Sequence, residues 1–463
     1  MSHERTSLGT TTSLCPTCLE RVPGTYETGG DAVYLTRSCP EHGSSSRKIW
    51  KSLDHWEWAA DFGPANRGTA SDDLTVDGDH ACLAVVEITQ DCNLSCSYCF
   101  ASSGPGGKQL PFDEVVDLLE TVTAEGGTRP IQFSGGEPTV HDELPELVEQ
   151  ARNMGFEHVE VNTNGINLAR QNGYAERLAT AGVTAVYLQF DGVTSETYEA
   201  IRDVDLLEVK RGALDACRRA DLPVILVPTV VPGVNDDEMG DIVRFALDNL
   251  DVVQSVNFQP VAHFGRYEKH DGRFSLDEAA RKLAAGIEAL EPRDFLPVPC
   301  CSSYCQMSTA VMPNGEGGVF PLTGLLDLDN WETLSGLVDE ADWMELLAGT
   351  PVGHETVEVA SGCCGFDVPG DGDVLPVTLT GFMDADAADV NRLDNCCISV
   401  PTPDGDLVPF CAYNMTDEEG QYALRNKHEW GGRDGTDDTP TDTTATDTTA
   451  TPTTDGGKSD HGG

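Results

Sequence analysis

Between residues 83 and 292, short β-branched runs alternate with longer amphipathic segments, six times in succession. The runs at 83–89, 131–134, 158–162, 184–190, 224–230 and 253–259 read as strands. The segments at 113–125, 142–154, 170–181, 206–220, 236–249 and 276–290 read as helices. A βα repeat of this kind builds a parallel sheet covered by helices. Six repeats predict a partial (β/α)6 barrel, with an open doubly wound sheet as the alternative. In either case the chemistry belongs at the carboxyl ends of the strands.

The loops expected at those ends are polar and distinctive. After the first strand come Cys92, Cys96 and Cys99, in a C-x3-C-x2-C spacing. Three thiolates can hold three irons of a cubane cluster and leave the fourth open to a small cofactor. After the second strand comes Ser134-Gly135-Gly136-Glu137-Pro138-Thr139. Adjacent glycines let backbone N–H and C=O groups approach an amino-acid-like ligand closely. Asn162-Thr163-Asn164-Gly165 follows the third strand and Gln189-Phe190-Asp191-Gly192 the fourth. The fifth leads into Pro228–Asp236, and the sixth ends at Asn257-Phe258-Gln259-Pro260. Their common position predicts a cofactor pocket at one rim. Cys217 shares an apolar helical spacing with Ala213, Leu214 and Ala220, and reads as core.

Cysteine clusters flank this central region. In residues 1–82, Cys15-Pro-Thr-Cys18 and Cys39-Pro-Glu-His42 bracket a strand at Val33–Thr36. They suit one tetrahedral zinc or iron ion held by Cys15, Cys18 and Cys39, with His42 or Cys82 as fourth ligand. Residues 53–81, with Trp56 and Trp58, read as a connector. Residues 293–425 read as a further domain carrying Cys300, Cys301, Cys305, Cys363, Cys364, Cys396, Cys397 and Cys411. That count suits two fully ligated [4Fe–4S] clusters, and equally one cluster with buried thiols or a zinc site. Pro403–Cys411 has the form of a hairpin delivering Cys411, and Thr378–Met383 reads as core or as a tunnel wall. Trp331, Trp343, Leu346 and Leu347 read as a packed helical insertion. The Thr-, Asp- and Gly-rich stretch 426–463 has too little apolar surface to offset the entropy of ordering, and reads as a disordered tail.

Composition narrows the setting. Lys plus Arg is 29 against 78 Asp plus Glu, a formal net charge of -49. A field of that sign disfavours nucleic acid. It suits solubility at very high salt, and hence an extreme halophile. With no secretory signal and no run of 18 apolar residues, the chain reads as soluble and cytoplasmic, with peripheral membrane contact left open. Its 16 cysteines cluster as metal ligands do, not as a disulfide framework.

The cysteine triplet, with Tyr98 before its last member, and the following Gly-Gly-Glu-Pro resemble the radical S-adenosylmethionine superfamily. The resemblance implies that Cys92, Cys96 and Cys99 bind a [4Fe–4S] cluster. S-adenosylmethionine would chelate the open iron and be cleaved to a 5′-deoxyadenosyl radical. Tyr98 would line the adenine side, and Gly135, Gly136 and Glu137 would meet the methionine end. Asn162, Asn164 and Gln189 would be further contacts. More narrowly, the knuckle and the Cys411-Ala-Tyr-Asn414 segment resemble the archaeal tetraether lipid synthase family, related to proteins assigned to pterin methylation. That likeness implies a rubredoxin-like mononuclear site, auxiliary (SPASM-like) clusters, a low-potential donor such as ferredoxin, and C–C bond formation between isoprenoid chains. Radical methylation of a pterin-like heterocycle, radical oxidation or modification of a peptide, and an electron-transfer scaffold are the other readings. A lipid enzyme calls for a long apolar channel, a pterin or peptide enzyme for a short polar pocket.

Overall fold

In the computed structural model, β1 (Thr6–Leu14), β2 (Arg21–Gly29), β3 (Ala32–Cys39) and β4 (Gly43–Trp50) form an antiparallel sheet in chain order. The described residues are 5–62, 82–268, 273–298, 302–314, 318–325, 361–362, 365–366 and 374–425. Cys300, Cys301, Cys363, Cys364, the insertion around Trp331 and Trp343, most of the connector and the tail lie outside them. Only β3 was legible as a strand. It alternates intermediate and buried residues, whereas β1 is a Thr- and Ser-rich strand exposed over its first five residues. Helix α1 (Leu53–Ala60) starts at Ser52, whose hydroxyl accepts the His55 N–H at 3.3 Å. Trp56 on α1 stacks on Tyr304, with ring centroids 3.8 Å apart.

The central sheet is built on β5 (Leu83–Thr89), β6 (Ile131–Gly135), β7 (Val159–Thr163), β8 (Ala185–Gln189), β9 (Val224–Val227) and β11 (Val253–Pro260), all parallel. A two-residue strand, β10 (Thr229–Val230), runs beside β11. The covering helices are α2 (Phe112–Ala124), α3 (Leu144–Asn153), α4 (Ile166–Arg170), α5 (Tyr174–Ala181), α6 (Ser195–Arg202), α7 (Leu207–Arg219), α8 (Met239–Leu247) and α9 (Leu276–Gly286). The helix expected at 170–181 is α5, which starts at Tyr174 after Gly173 at φ 76°; the short α4, ending at Arg170, was not expected. The sequence reading also missed α6. It is eight residues long and buries Thr197 and Arg202 beside Tyr198 and Ile201, so it shows no clean apolar stripe.

The segment expected as a separate C-terminal domain extends this same sheet. It supplies β12 (Leu296–Pro297), β13 (Gln306–Pro313), β14 (Val319–Pro321), β17 (Leu375–Thr380), β18 (Ile398–Pro401) and β19 (Leu407–Pro409), while β15 (Ser361–Gly362) pairs with β16 (Gly365–Phe366) apart. β17 lies parallel to β11, with Val377 opposite Val256, and β18 lies parallel to β5, with Ile398 opposite Leu83. The result is a mixed 13-stranded sheet. Among the described residues β17 and β18 do not pair, so backbone hydrogen bonds do not complete a ring. The chain between them covers that side: Met383, Ala385, Ala388, Val390 and Leu393 pack against Leu83 and Val85.

The faces of the strands show how the sheet is curved. Val159 and Val161 pack outward into the helix-covered core. Glu160 and Asn162 between them point inward, as do Gln132 and Ser134 on β6 and Asn257 and Gln259 on β11. Inward residues from β6 to β11 and Thr380 of β17 line one cavity of about 280 Å³, which requires the sheet to curl around it. No helix among the described residues is long and apolar enough to cross a membrane.

Candidate active site

All three cysteines of the triplet line that cavity, on the loop after β5. The loop is held through its carbonyls. Cys99 and Arg266 exchange backbone hydrogen bonds of 2.8 and 3.0 Å. The Arg266 guanidinium donates to Cys96 O at 2.5 Å and to Ser103 O at 2.9 Å. Arg202 donates to Tyr98 O at 3.0 Å and is itself gripped by both Asp191 oxygens at 2.7 Å. Burial, with Glu137 nearby, pushes the Cys92 thiol up to about 12, and burial raises Cys96 as well. Thiolates in such a place need a cationic centre beside them. The donor set therefore fits an iron–sulfur cluster.

The glycine loop lies directly on the cysteine loop. Gly136 N–H donates to Thr89 O at 2.7 Å and Glu137 N–H to Asp91 O at 2.9 Å. A Cβ on Gly135, at φ 120°, would sit 2.2 Å from Thr89 O, and one on Gly136 would sit 2.2 Å from Asp91 O. No other residue type fits either position. Glu137 reaches the cavity wall, yet its buried carboxylate accepts from Thr139 N–H (3.1 Å), the Thr139 and Thr163 hydroxyls (both 2.6 Å) and Asn164 N–H (2.7 Å). It ties the second loop to the third.

Tyr98, Asn162, Asn164 and Gln189 also line the cavity. Tyr98 packs against Ile201 and Val231. Asn162 donates to the Ser134 hydroxyl at 3.3 Å, and Asn164 donates to the Asn93 side chain at 2.7 Å. Gln189 accepts from Lys210, which also donates to Asn164 O at 2.6 Å. Lys210 is fully buried, and burial lowers its ammonium to about 8. Sequence reasoning passed over Arg202, Lys210 and Arg266. Lys210 alone had a usable signal, since it stands on the same helical stripe as Ala213, Leu214 and Cys217.

The N-terminal knuckle converges as well. The ligand atoms of Cys15, Cys18, Cys39 and His42 all lie within 4.8 Å of one another. Cys18 Sγ is 4.0 Å from Cys39 Sγ, and His42 Nδ1 is 3.7 Å from Cys15 Sγ and 3.5 Å from Cys39 Sγ. Tetrahedral ligands with bonds of about 2.3 Å stand roughly 3.7 Å apart, so the set fits one metal ion. Backbone N–H groups of Glu41 and His42 lower the Cys39 thiol to about 6. His42 is the fourth member; Cys82 is outside the group and leads into the central sheet, where its N–H bonds to Cys397 O at 2.7 Å. Of the other cysteines, Cys305 accepts from Arg392 at 3.1 Å and Cys411 accepts from Met383 N–H at 3.4 Å. Cys396 and Cys397 precede β18. Among the described residues the knuckle is the one close group of three or more such ligands. Cys217 is buried in the core.

The profile of the Radical SAM superfamily matches residues 86–246, and that of the HMPTM N-terminal zinc ribbon domain matches residues 7–51. The 7,8-dihydro-6-hydroxymethylpterin dimethyltransferase of Methanocaldococcus jannaschii is 30% identical over 502 aligned residues, covering 92% of this chain and 99% of that one. The chain belongs to the family of that enzyme, within the radical S-adenosylmethionine superfamily. A probable GTP 3',8-cyclase of Methanothermobacter thermautotrophicus is 33% identical over 214 residues, 46% of this chain and 68% of that one. A structure of SuiB from Streptococcus suis bound to S-adenosylmethionine has a TM-score of 0.39 and 15% identity, over 44% of this chain and 46% of that one. Within the superfamily region, the cysteine loop, the glycine loop and the inward faces of β6 to β9 share one cavity, to which β11 adds its inward face from beyond that region.

Proposed function

We propose that this radical S-adenosylmethionine enzyme methylates a pterin-like heterocycle. The carrying observation is a set of polar side chains inside the curled sheet: Gln132, Glu160, Tyr187, Asn257 and Gln259 occupy inward positions that branched apolar side chains ordinarily fill. Full-length similarity to a pterin dimethyltransferase supports the same reading. Joining isoprenoid chains would call for a long apolar channel; here the apolar lining (Leu83, Val85, Phe264, Phe382, Ile398 and Phe410 among it) is interrupted by these polar side chains. An apolar lining interrupted by polar groups suits a flat heterocycle with hydrogen-bonding edges.

In this proposal Cys92, Cys96 and Cys99 hold the [4Fe–4S] cluster. Gly135 and Gly136 present backbone to S-adenosylmethionine, with Tyr98, Asn162, Asn164 and Gln189 around it. When bound, the pair supplies a 5′-deoxyadenosyl radical able to take hydrogen from an unactivated carbon. The protein's part is to orient the ligand and to exclude water. Cys15, Cys18, Cys39 and His42 hold a structural Zn²⁺ or Fe²⁺, and Cys305 and Cys411 contribute to an auxiliary cluster. Electrons come from a low-potential donor such as ferredoxin. The charge of -49 supports work at high ionic strength.

The test is anaerobic turnover of reconstituted, reduced protein with S-adenosylmethionine, 7,8-dihydro-6-hydroxymethylpterin and a small-molecule extract as one-carbon source. Mass spectrometry should find 5′-deoxyadenosine and a pterin heavier by methyl groups. Cys96→Ala should abolish both. An unchanged pterin, with coupled chains formed from total lipid extract, would establish the lipid reading instead.

A further inference from the structure

The lumen holds a carboxylate that neither the cysteine loop nor the glycine loop uses. Glu160 points inward from β7, two residues before Asn162, and its side chain is 11% exposed. Gln132 Nε2 donates to its Oε2 at 2.7 Å, and His158 Nε2 lies 3.0 Å from its Oε1. No arginine or lysine among the described residues forms an ion pair with it. Other buried carboxylates of the βα region have a guanidinium or more donors: Asp191 has Arg202, Glu87 of β5 has Arg425, and Glu137 has four donors. With one partner on each oxygen, the Glu160 carboxylate still has lone pairs to offer a ligand's donors.

The surroundings indicate which ligand does so. Across the ladder Glu160 stands between Gln132 and Ala185. Ala185 is itself buried against Ile225 and Val227, which line the cavity. Along the strand, two residues separate Glu160 from the level of Asn162, a rise of about 7 Å. A flat two-ring ligand with one end on Glu160 therefore brings its other ring up toward the cysteine loop. A 2-amino-4-oxopyrimidine ring carries a ring N–H and an amino N–H side by side, a fork that matches the two oxygens of a carboxylate.

Building on the pterin reading, we infer that Glu160, oriented by Gln132 and His158, is the specificity residue that receives the 2-amino and ring N–H edge of the heterocycle. Gln132 and His158 each meet one carboxylate oxygen, and the second lone pair of each oxygen is the one the heterocycle would use. This contact selects 2-amino-4-oxo bicycles over analogues without the amino group. It also sets which ring carbons are presented to the radical.

The experiment measures anaerobic binding of 6-hydroxymethylpterin and of its 2-desamino analogue to the holoenzyme, by fluorescence, for wild type and Glu160→Gln. The cluster absorbance and the unfolding midpoint of the variant serve as fold controls. The expected result is a Kd for the pterin raised on the order of 30-fold in the variant, the size of a lost charge-assisted pair. Wild type should discriminate against the analogue by a similar factor, and the variant should discriminate little. The wild-type comparison of two ligands needs no variant to fold. Equal pterin affinity in wild type and variant would overturn the inference and leave the proposed function standing. So would an equal loss for both ligands, which is the signature of a structural glutamate. A wild-type holoenzyme that binds neither ligand would overturn the pterin reading and this inference with it.

Discussion

Arg425 meets Glu87 at 2.6 Å inside the sheet, with both side chains at least 97% buried. Glu87 belongs to the first strand of the βα repeat, and Arg425 lies more than three hundred residues later. Arg425 also donates to Asn414 at 2.5 Å and lies between the rings of Tyr413 and Tyr422, 5.4 Å from each. The Tyr422 hydroxyl donates to Phe100 O at 2.6 Å, next to Cys99. The last described turn thus clasps the cysteine loop. Arg425→Met leaves the Glu87 carboxylate buried without its cation, and should cost about 3–5 kcal/mol in urea unfolding. Glu87→Met together with Arg425→Met should recover most of that loss, because no charge is then stranded. A double variant as weak as the single one would show that the guanidinium acts mainly through Asn414.

Gly135→Ala tests the contact between the two loops. Its Cβ would stand 2.2 Å from Thr89 O, at a φ of 120° that L side chains rarely adopt. The expected cost is about 2–3 kcal/mol of stability. The affinity of the reconstituted protein for S-adenosylmethionine should fall at least about tenfold, read by anaerobic equilibrium dialysis. Wild-type affinity in this variant would mean that the glycine loop does not meet the cofactor.

Lys210 gives a pH dependence whose sign follows from its burial. Its ammonium is lowered from 10.5 to about 8 in the folded state. Between those values the unfolded chain binds more protons than the native one, so this group makes stability rise with pH from about 8 toward 10.5. Below about 8 both states carry the proton and the burial penalty is felt in full. Subtracting the urea midpoints of Lys210→Met from those of wild type isolates the group. The difference should climb in favour of wild type across that interval, and a flat difference would contradict the lowered value.

The knuckle predicts a metal that can be removed separately. Arg37, on β3 beside it, donates to Ala385 O at 2.5 Å and to Asp386 O at 2.9 Å, so the ribbon is bolted to the segment covering the open side of the sheet. Cys39→Ser should lose one bound ion per chain by elemental analysis and lower the unfolding temperature. The visible absorbance of the cluster at Cys92, Cys96 and Cys99 should persist. Bleaching of that absorbance would mean that the two centres are not independent.

The sequence made the repeat legible where burial was simple. Strands such as Val224–Val227 are continuous apolar runs, and helices such as Leu207–Arg219 have a clear apolar stripe. Loop chemistry was legible for a different reason: cysteines and paired glycines are rarely placed without purpose. The lumen was not legible, because Gln132 and Glu160 sit mid-strand, each in a run that still reads as β. A polar residue at every second position of a strand buried on both faces was the signal available. The places of Leu375–Thr380 and Ile398–Pro401 beside the βα repeat were hidden by long separation, since their partners within the repeat lie more than a hundred residues earlier. No local pattern reports such a pairing.

Strand order also has a consequence for how the protein comes into being. The wall of the lumen on the side of Leu83 and Val85 is made by residues that leave the ribosome after residue 380. The clasp on the cysteine loop follows later still, with Tyr422 and Arg425. Until β17 and β18 have been made, the βα repeat has two raw edges and its interior is open to water. The nascent chain therefore depends on protection of those edges during synthesis, and its enclosed site is complete only once this last segment has docked.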